Sequence, residues 1–118
     1  MKLFGSMEVR DQELIIGGVR ASNLVKEYGT PLYVMDEKLL RDTCNEYYKN
    51  FKCDEEGNRV AFAGKAFLTV EMAKLIKEEG VCRDVVSGGE LYTAYKAGVP
   101  MDRLYFHVNN KTLDEIEL

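Results

Sequence analysis

The chain has 118 residues, of which 46% are hydrophobic and 31% charged, a balance typical of a folded globular protein. Its formal net charge of −4 excludes the broad basic surface that nucleic acid or an anionic membrane would require. No apolar stretch approaches the roughly 20 residues that span a bilayer.

Residues 1–6 lack the apolar segment of a secretory signal. Cys44, Cys53 and Cys82 are odd in number and contain no Cys-x-x-Cys pair, a pattern that disfavours a disulfide framework or a zinc site. We therefore expect a cytoplasmic protein in a reducing compartment, with Cys44 as a core residue.

The first 30 residues predict short strands followed by a helix. Residues 7–9 and 14–16 are typical of two strands around a polar turn at Asp11 and Gln12. Ser22 can cap a short helix through residue 28, and Gly29 can end it in the left-handed conformation.

The next segment predicts a buried strand at residues 32–35 and a long helix that Asp36 caps and that reaches about residue 51. A charged surface loop follows at residues 52–58. The apolar positions of the helix recur at three- and four-residue spacing and define one face: Leu40, Cys44, Tyr47, Tyr48 and Phe51.

Strands and helices then alternate. The predicted order is strand 59–63, helix 69–79, strand 84–86, helix 88–97 and strand 104–107. This alternation is the pattern of βαβ units, which form a parallel sheet with right-handed crossovers. A small open sheet fits this length, whereas a closed eight-stranded barrel needs about 250 residues.

The last residues favour a longer protein. Thr112 and Glu115 form a capping box that starts a helix, but a single turn has little on which to pack. We expect the chain to be the front part of a longer protein; a frayed terminal tail is the alternative.

Lys65 is the first candidate functional residue, because it follows an apolar run at the end of a strand. In α/β proteins that end of the sheet carries the chemistry. A lysine that loses hydration there has a lowered pKa, and its free amine can form a Schiff base with a carbonyl. A lysine whose ammonium simply reaches water is the alternative.

Two further groups of residues follow the next strands. Asp84 needs a partner if its strand is buried, and the turn at Gly88 and Gly89 can direct backbone amides toward an anion. His107 is the only histidine, so no multi-histidine metal cluster can form, and Asn109-Asn110 suits a turn. The alternatives are an exposed edge aspartate, a purely conformational glycine pair and a structural histidine.

Four segments carry a resemblance to a known family. In chain order they read YGTPLYV at 28–34, AGKA at 63–66, DVVSGGEL at 84–91 and FHVNNK at 106–111. Together they resemble the N-terminal part of the diaminopimelate decarboxylases, pyridoxal-phosphate enzymes of fold type III with an alanine-racemase-like barrel. They are less similar to the ornithine and arginine branches.

The resemblance implies an α/β fold, the N-terminal portion of a (β/α)8 barrel preceded by short strands of a β-domain. Residues 1–20 would pack with a C-terminal β-domain, and residues 21–118 would form the first four βα units. The strand at 32–35 would be the first barrel strand. Lys65, Asp84 and His107 would end the second, third and fourth strands.

The implied activity is decarboxylation of meso-diaminopimelate to L-lysine in a homodimer, with pyridoxal 5′-phosphate as cofactor. Lys65 would be the catalytic lysine that binds the cofactor, with Asp84 and His107 beside it. Val108 replaces a usual glycine, and Arg83 replaces a usually uncharged residue. Three alternatives remain: a decarboxylase of another basic amino acid, a non-catalytic regulatory relative and a small domain without chemistry.

Overall fold

The computed structural model describes residues 2–51 and 59–117. The chain divides into two compact units, Met1–Thr43 and Cys44–Leu118, each described separately below. The predicted surface loop at residues 52–58, and with it Cys53, lies outside the described residues. Among the described helices, none is both long enough and apolar enough to cross a bilayer.

The first unit contains a three-stranded antiparallel sheet. Its strands pair in chain order: β1 (Glu8–Arg10), β2 (Glu13–Ile16) and β3 (Val19–Arg20). The predicted turn at Asp11 and Gln12 is confirmed, and both residues adopt positive φ, as tight hairpins require. The prediction missed β3, a two-residue strand too short to show a period, which forms because Gly17 and Gly18 turn the chain back.

Helix α1 (Ala21–Tyr28) follows directly on this sheet. The predicted Ser22 cap is wrong: the helix begins at Ala21, and its N-cap, Arg20, makes no side-chain bond to the helix. Ser22 instead donates its hydroxyl hydrogen to the Glu13 carboxylate, which lowers the pKa of that carboxyl. The chain leaves the helix at Gly29 with a φ of 79°.

The predicted strand at residues 32–35 is wrong for the described chain. Tyr33 is 100% exposed, and its three neighbours Leu32, Val34 and Met35 are exposed as well. A segment is a β-strand only when its backbone hydrogen-bonds to a neighbouring strand. Neither of the two described sheets includes this segment. Its apolar composition therefore predicts a buried segment, but the described residues leave it exposed.

Helix α2 (Glu37–Asn50) confirms the predicted long helix. Asp36 caps it, because its Oδ1 accepts a hydrogen bond of 3.1 Å from the Leu39 amide. The predicted apolar face is not buried: α2 contributes no buried residue, and Cys44 is only half-buried. The ring of Tyr47 on α2 stacks with the ring of Phe51, the residue that follows the helix, with centroids 6.2 Å apart.

The second unit has the predicted alternation of strands and helices. Its parallel strands pair in the order β4 (Ala61–Ala63), β5 (Cys82–Val85) and β6 (Leu104–Phe106). The helices between and after them are α3 (Val70–Glu78), α4 (Gly88–Lys96) and α5 (Leu113–Glu117). Short 3₁₀ turns cover Gly64–Ala66 and Met101–Arg103.

Local side chains start and stop these helices. The Thr69 hydroxyl accepts a hydrogen bond from the Met72 amide, and Ser87 caps α4 in the same way. Gly80 and Gly98 follow α3 and α4 with φ of 73° and 70°, the left-handed conformation typical after a helix.

The core of this unit lies on one side of the parallel sheet, which we call the helix side. Val85 is completely buried there, and Ile76 of α3 is buried almost completely. Arg83 is completely buried as well, and its guanidinium donates hydrogen bonds to the carbonyl oxygens of Ala73 and Val81. Burial lowers the pKa of Arg83 to about 10.

Candidate active site

The opposite side of the sheet, which we call the open side, carries the candidate site. The parallel register aligns Ala63, Asp84 and Tyr105 across the three strands, so these side chains share one side. Exposure alternates along β4 and β6 as this arrangement requires. A shallow groove of about 400 Å³ lies on this side, lined by Arg59, Ala61, Ala63, Asp84, Tyr105 and His107.

Asp84 is the most constrained residue of this groove. It lies on the central strand between two buried residues, Arg83 and Val85, so the alternative of an exposed edge aspartate is wrong. Its Oδ1 is buried and accepts no hydrogen bond within the described part of the chain. A buried carboxylate oxygen without a donor is costly, so the site suits a ligand that brings a nitrogen or hydroxyl donor.

Lys65 lies in the 3₁₀ turn directly after β4, at the carboxyl end of the sheet, as predicted. Its side chain is exposed, so the described residues do not give it the predicted dry surroundings. Helix α3 lies on the helix side, where its Ala73 carbonyl oxygen accepts a hydrogen bond from Arg83, and it does not bury Lys65. The neighbouring Gly64 is buried, and a Cβ there would come within 3.1 Å of the Asp84 carbonyl oxygen. The turn that carries Lys65 therefore passes close to the backbone of Asp84.

His107 follows β6 at the same end of the sheet and lines the groove. Its backbone amide donates a hydrogen bond of 3.0 Å to the Val85 carbonyl oxygen, which extends the β5–β6 pairing by one residue. Asn109 and Asn110 would tolerate a positive φ, but neither residue adopts one. Val108 has no positive φ either, so the turn here does not need the usual glycine.

The amide-lined anion site predicted at Gly88 and Gly89 is wrong at Gly88, because a carboxylate of the chain already occupies that amide. The Gly88 amide donates a hydrogen bond of 2.9 Å to Oε1 of Glu115, and the Val86 amide donates one of 2.9 Å to Oε2 of Glu90. The protein's own carboxylates thus take the place of an external anion beside the start of α4.

Sequence reasoning missed several residues of this region. Arg59 and Tyr105 line the groove, and the signal that could have found Tyr105 is the strand register with Asp84. The capping box of Thr112 and Glu115 was predicted and is confirmed, with bonds of 3.0 and 3.2 Å. The bond from Gly88 to Glu115 was not predictable, because it joins residues 27 apart.

Comparison with known families identifies the class of protein. Residues 38–118 match the family model described as pyridoxal-dependent decarboxylase, pyridoxal binding domain. The chain belongs to this family, which confirms the predicted family and its pyridoxal-phosphate cofactor.

Individual relatives are more specific than the family model. The chain is 47% identical over 121 residues to a diaminopimelate decarboxylase of Bacillus methanolicus, covering 100% of this chain and 28% of that protein. It is 49% identical over 105 residues to the one of Bacillus subtilis strain 168, covering 89% of this chain and 24% of that protein. The chain therefore spans about a quarter of the length of these curated relatives.

Solved structures agree with the sequence matches. The crystal structure of diaminopimelate decarboxylase from M. jannaschii aligns with a TM-score of 0.83 at 34% identity, covering 95% of this chain and 27% of that chain. A second structure of that protein, in complex with L-lysine, aligns with a TM-score of 0.82 and covers 93% of this chain and 26% of that chain. The predicted fold class is thus confirmed: the chain is an α/β fragment that corresponds to the N-terminal portion of these barrel enzymes.

Proposed function

We propose that the chain is the N-terminal part of a decarboxylase that converts meso-diaminopimelate to L-lysine. The observation that supports this proposal most strongly is the convergence of Lys65, Asp84 and His107 at one end of the parallel sheet. The names of the similar proteins support the substrate, and the L-lysine complex of one of them supports the product.

Each residue has a distinct role in this proposal. When bound, pyridoxal phosphate supplies the electron sink that makes loss of carbon dioxide possible. Lys65 would hold the cofactor through its Nζ and would therefore be the catalytic residue. Asp84 offers a buried acceptor that otherwise has no donor within the described chain, and His107 borders the same groove.

The surroundings of this site belong to the same proposal. Ala61 and Ala63 are small and leave space on the open side, where a larger side chain would fill the groove. We propose further that residues 1–20 pack with a C-terminal β-domain and that residues 21–118 supply the first βα units of the barrel. The intact protein would be a cytoplasmic homodimer.

A substrate panel with the intact protein tests this function. Purified protein saturated with pyridoxal phosphate should release carbon dioxide from meso-diaminopimelate and yield L-lysine. The Lys65→Ala variant should lose this activity, whereas Lys74→Ala, which removes a lysine on α3, should keep it.

The alternatives give different results in the same assay. Turnover of ornithine or arginine but not of meso-diaminopimelate would favour a decarboxylase of another basic amino acid. Folded, cofactor-saturated protein that acts on none of the three would refute the proposed activity and favour a non-catalytic relative.

A further inference from the structure

Two glutamates accept hydrogen bonds from backbone amides that follow the strands of the parallel sheet. Glu90 accepts a hydrogen bond from the Val86 amide after β5, and its Oε2 lies 3.5 Å from the position that a Cβ on Gly64 would occupy, after β4. Glu115 accepts hydrogen bonds from the first residue of α4, after β5, and from the loop after β6. The segment after β6, which begins at His107, is therefore bonded to the start of α4 through Glu115 as well as through the sheet.

Glu115 makes the larger number of bonds. Its Oε1 accepts from the Gly88 amide at 2.9 Å, and its Oε2 accepts from the Thr112 amide at 3.0 Å and the Thr112 hydroxyl at 3.1 Å. Charge-assisted bonds of this kind are the stronger ones in proteins. They hold the pKa of the Glu115 carboxyl below its ordinary value.

Hydrophobic packing among the described residues does not explain this contact. Helix α5 contributes no buried residue, and its two apolar side chains, Leu113 and Ile116, are 77% and 64% exposed. A single helical turn does not order itself. Within the described chain, the bonds of Glu115 are thus the specific attachment of α5 and its preceding loop to the turn at Gly88.

Gly88 is shaped to receive this side chain. A Cβ on Gly88 would lie 3.2 Å from Cγ of Glu115, closer than ordinary contact, whereas a Cβ on Gly89 would meet only the Ser87 hydroxyl at 3.9 Å. Of the two adjacent glycines, only the first is required by the contact with Glu115.

We propose that Glu115 is a positioning residue for the cofactor site. It holds the loop after β6, which begins at His107, against the start of α4, which follows the strand that carries Asp84. This inference rests on the proposed function, because it assigns the two joined loops a common task in cofactor binding.

Hydrogen exchange in the intact apoprotein tests the link between the loops. Glu115→Gln leaves one acceptor oxygen in place of the two that accept hydrogen bonds in the wild type. The amides of residues 86–90 and of residues 107–113 should therefore exchange about tenfold faster. The dissociation constant for pyridoxal phosphate should rise about tenfold for the same reason. Asp114→Asn, a neighbouring exposed acid, should leave both quantities unchanged.

A second pair of variants approaches the contact from the other side. Gly88→Ala should displace the Glu115 side chain and reproduce both effects, while Gly89→Ala should not. The double variant Gly88→Ala/Glu115→Gln should change hydrogen exchange and the cofactor dissociation constant little more than either single variant does, because both substitutions disrupt the same contact.

The outcomes separate this inference from the proposed function. Unchanged exchange at residues 86–90 in Glu115→Gln, or equal behaviour of the two alanine variants, would refute the link. Faster exchange with an unchanged cofactor dissociation constant would show a purely structural link and overturn the positioning role. A wild-type protein that binds no pyridoxal phosphate would refute the proposed function, while the exchange data would still decide whether the link exists.

Discussion

The two sides of the parallel sheet differ in what covers them, although the same three strands supply both. On the helix side, Val85 and Arg83 are completely buried, and Arg83 donates a hydrogen bond to the Ala73 carbonyl oxygen of α3. On the open side, Ala63 and Tyr105 are exposed, and Asp84 has a buried oxygen without a donor among the described residues. Toward the carboxyl ends of the strands, the two-residue period thus separates residues that stabilise the unit from residues available for chemistry.

The largest effect on stability is expected on the helix side. Ile76→Ala leaves a cavity beneath α3 and should lower the free energy of unfolding of the intact apoprotein by about 3 kcal/mol. Ile76→Val, which removes one methyl group, should cost about 1 kcal/mol. Denaturant titration measures both, and cofactor affinity at native conditions should not change. A loss below about 1 kcal/mol for the alanine variant would contradict the assigned packing.

The open side should show the reverse behaviour. Asp84→Asn keeps the shape of the side chain but removes its charge, so it should weaken pyridoxal phosphate binding about tenfold. The free energy of unfolding of the apoprotein should not fall. Asp102→Asn, on the exposed 3₁₀ turn before β6, is the matched control. Equal cofactor affinity in wild type and Asp84→Asn would remove Asp84 from the site.

A smaller effect of opposite sign is expected at Arg83. No carboxylate among the described residues pairs with this buried guanidinium, and burial lowers its pKa to about 10. A methionine of similar length avoids that desolvation, so Arg83→Met should leave stability unchanged or raise it by about 1 kcal/mol. Arg103→Met, which removes an exposed arginine bonded to the Gly80 carbonyl, should have little effect. Marked destabilisation by Arg83→Met in urea titration would show that its bonds to Ala73 and Val81 outweigh the cost of burial.

Much of the second unit could be predicted because its signals are local. The caps at Thr69 and Ser87, the glycines after two helices and the box of Thr112 and Glu115 each depend on residues within a few positions. The same holds for Lys65, whose place after β4 follows from one apolar strand and one turn.

Features that depend on distant residues could not be predicted. The apolar segment at 32–35 is typical of a buried strand, but no ladder in the described chain pairs with it. The amide of Gly88 was expected to face a ligand, yet a glutamate 27 residues away accepts its hydrogen bond. The solvent exposure of Lys65 likewise depends on which residues cover the end of the sheet, and the local sequence pattern does not indicate them.

The most direct test of the account asks whether the open side binds the cofactor through Lys65. Intact protein is incubated with pyridoxal phosphate and reduced with borohydride, and the peptides are mapped by mass spectrometry. The account predicts a pyridoxyl group on the peptide that contains Lys65 and none on peptides with other lysines. Folded, cofactor-saturated protein with an unmodified Lys65 would contradict it.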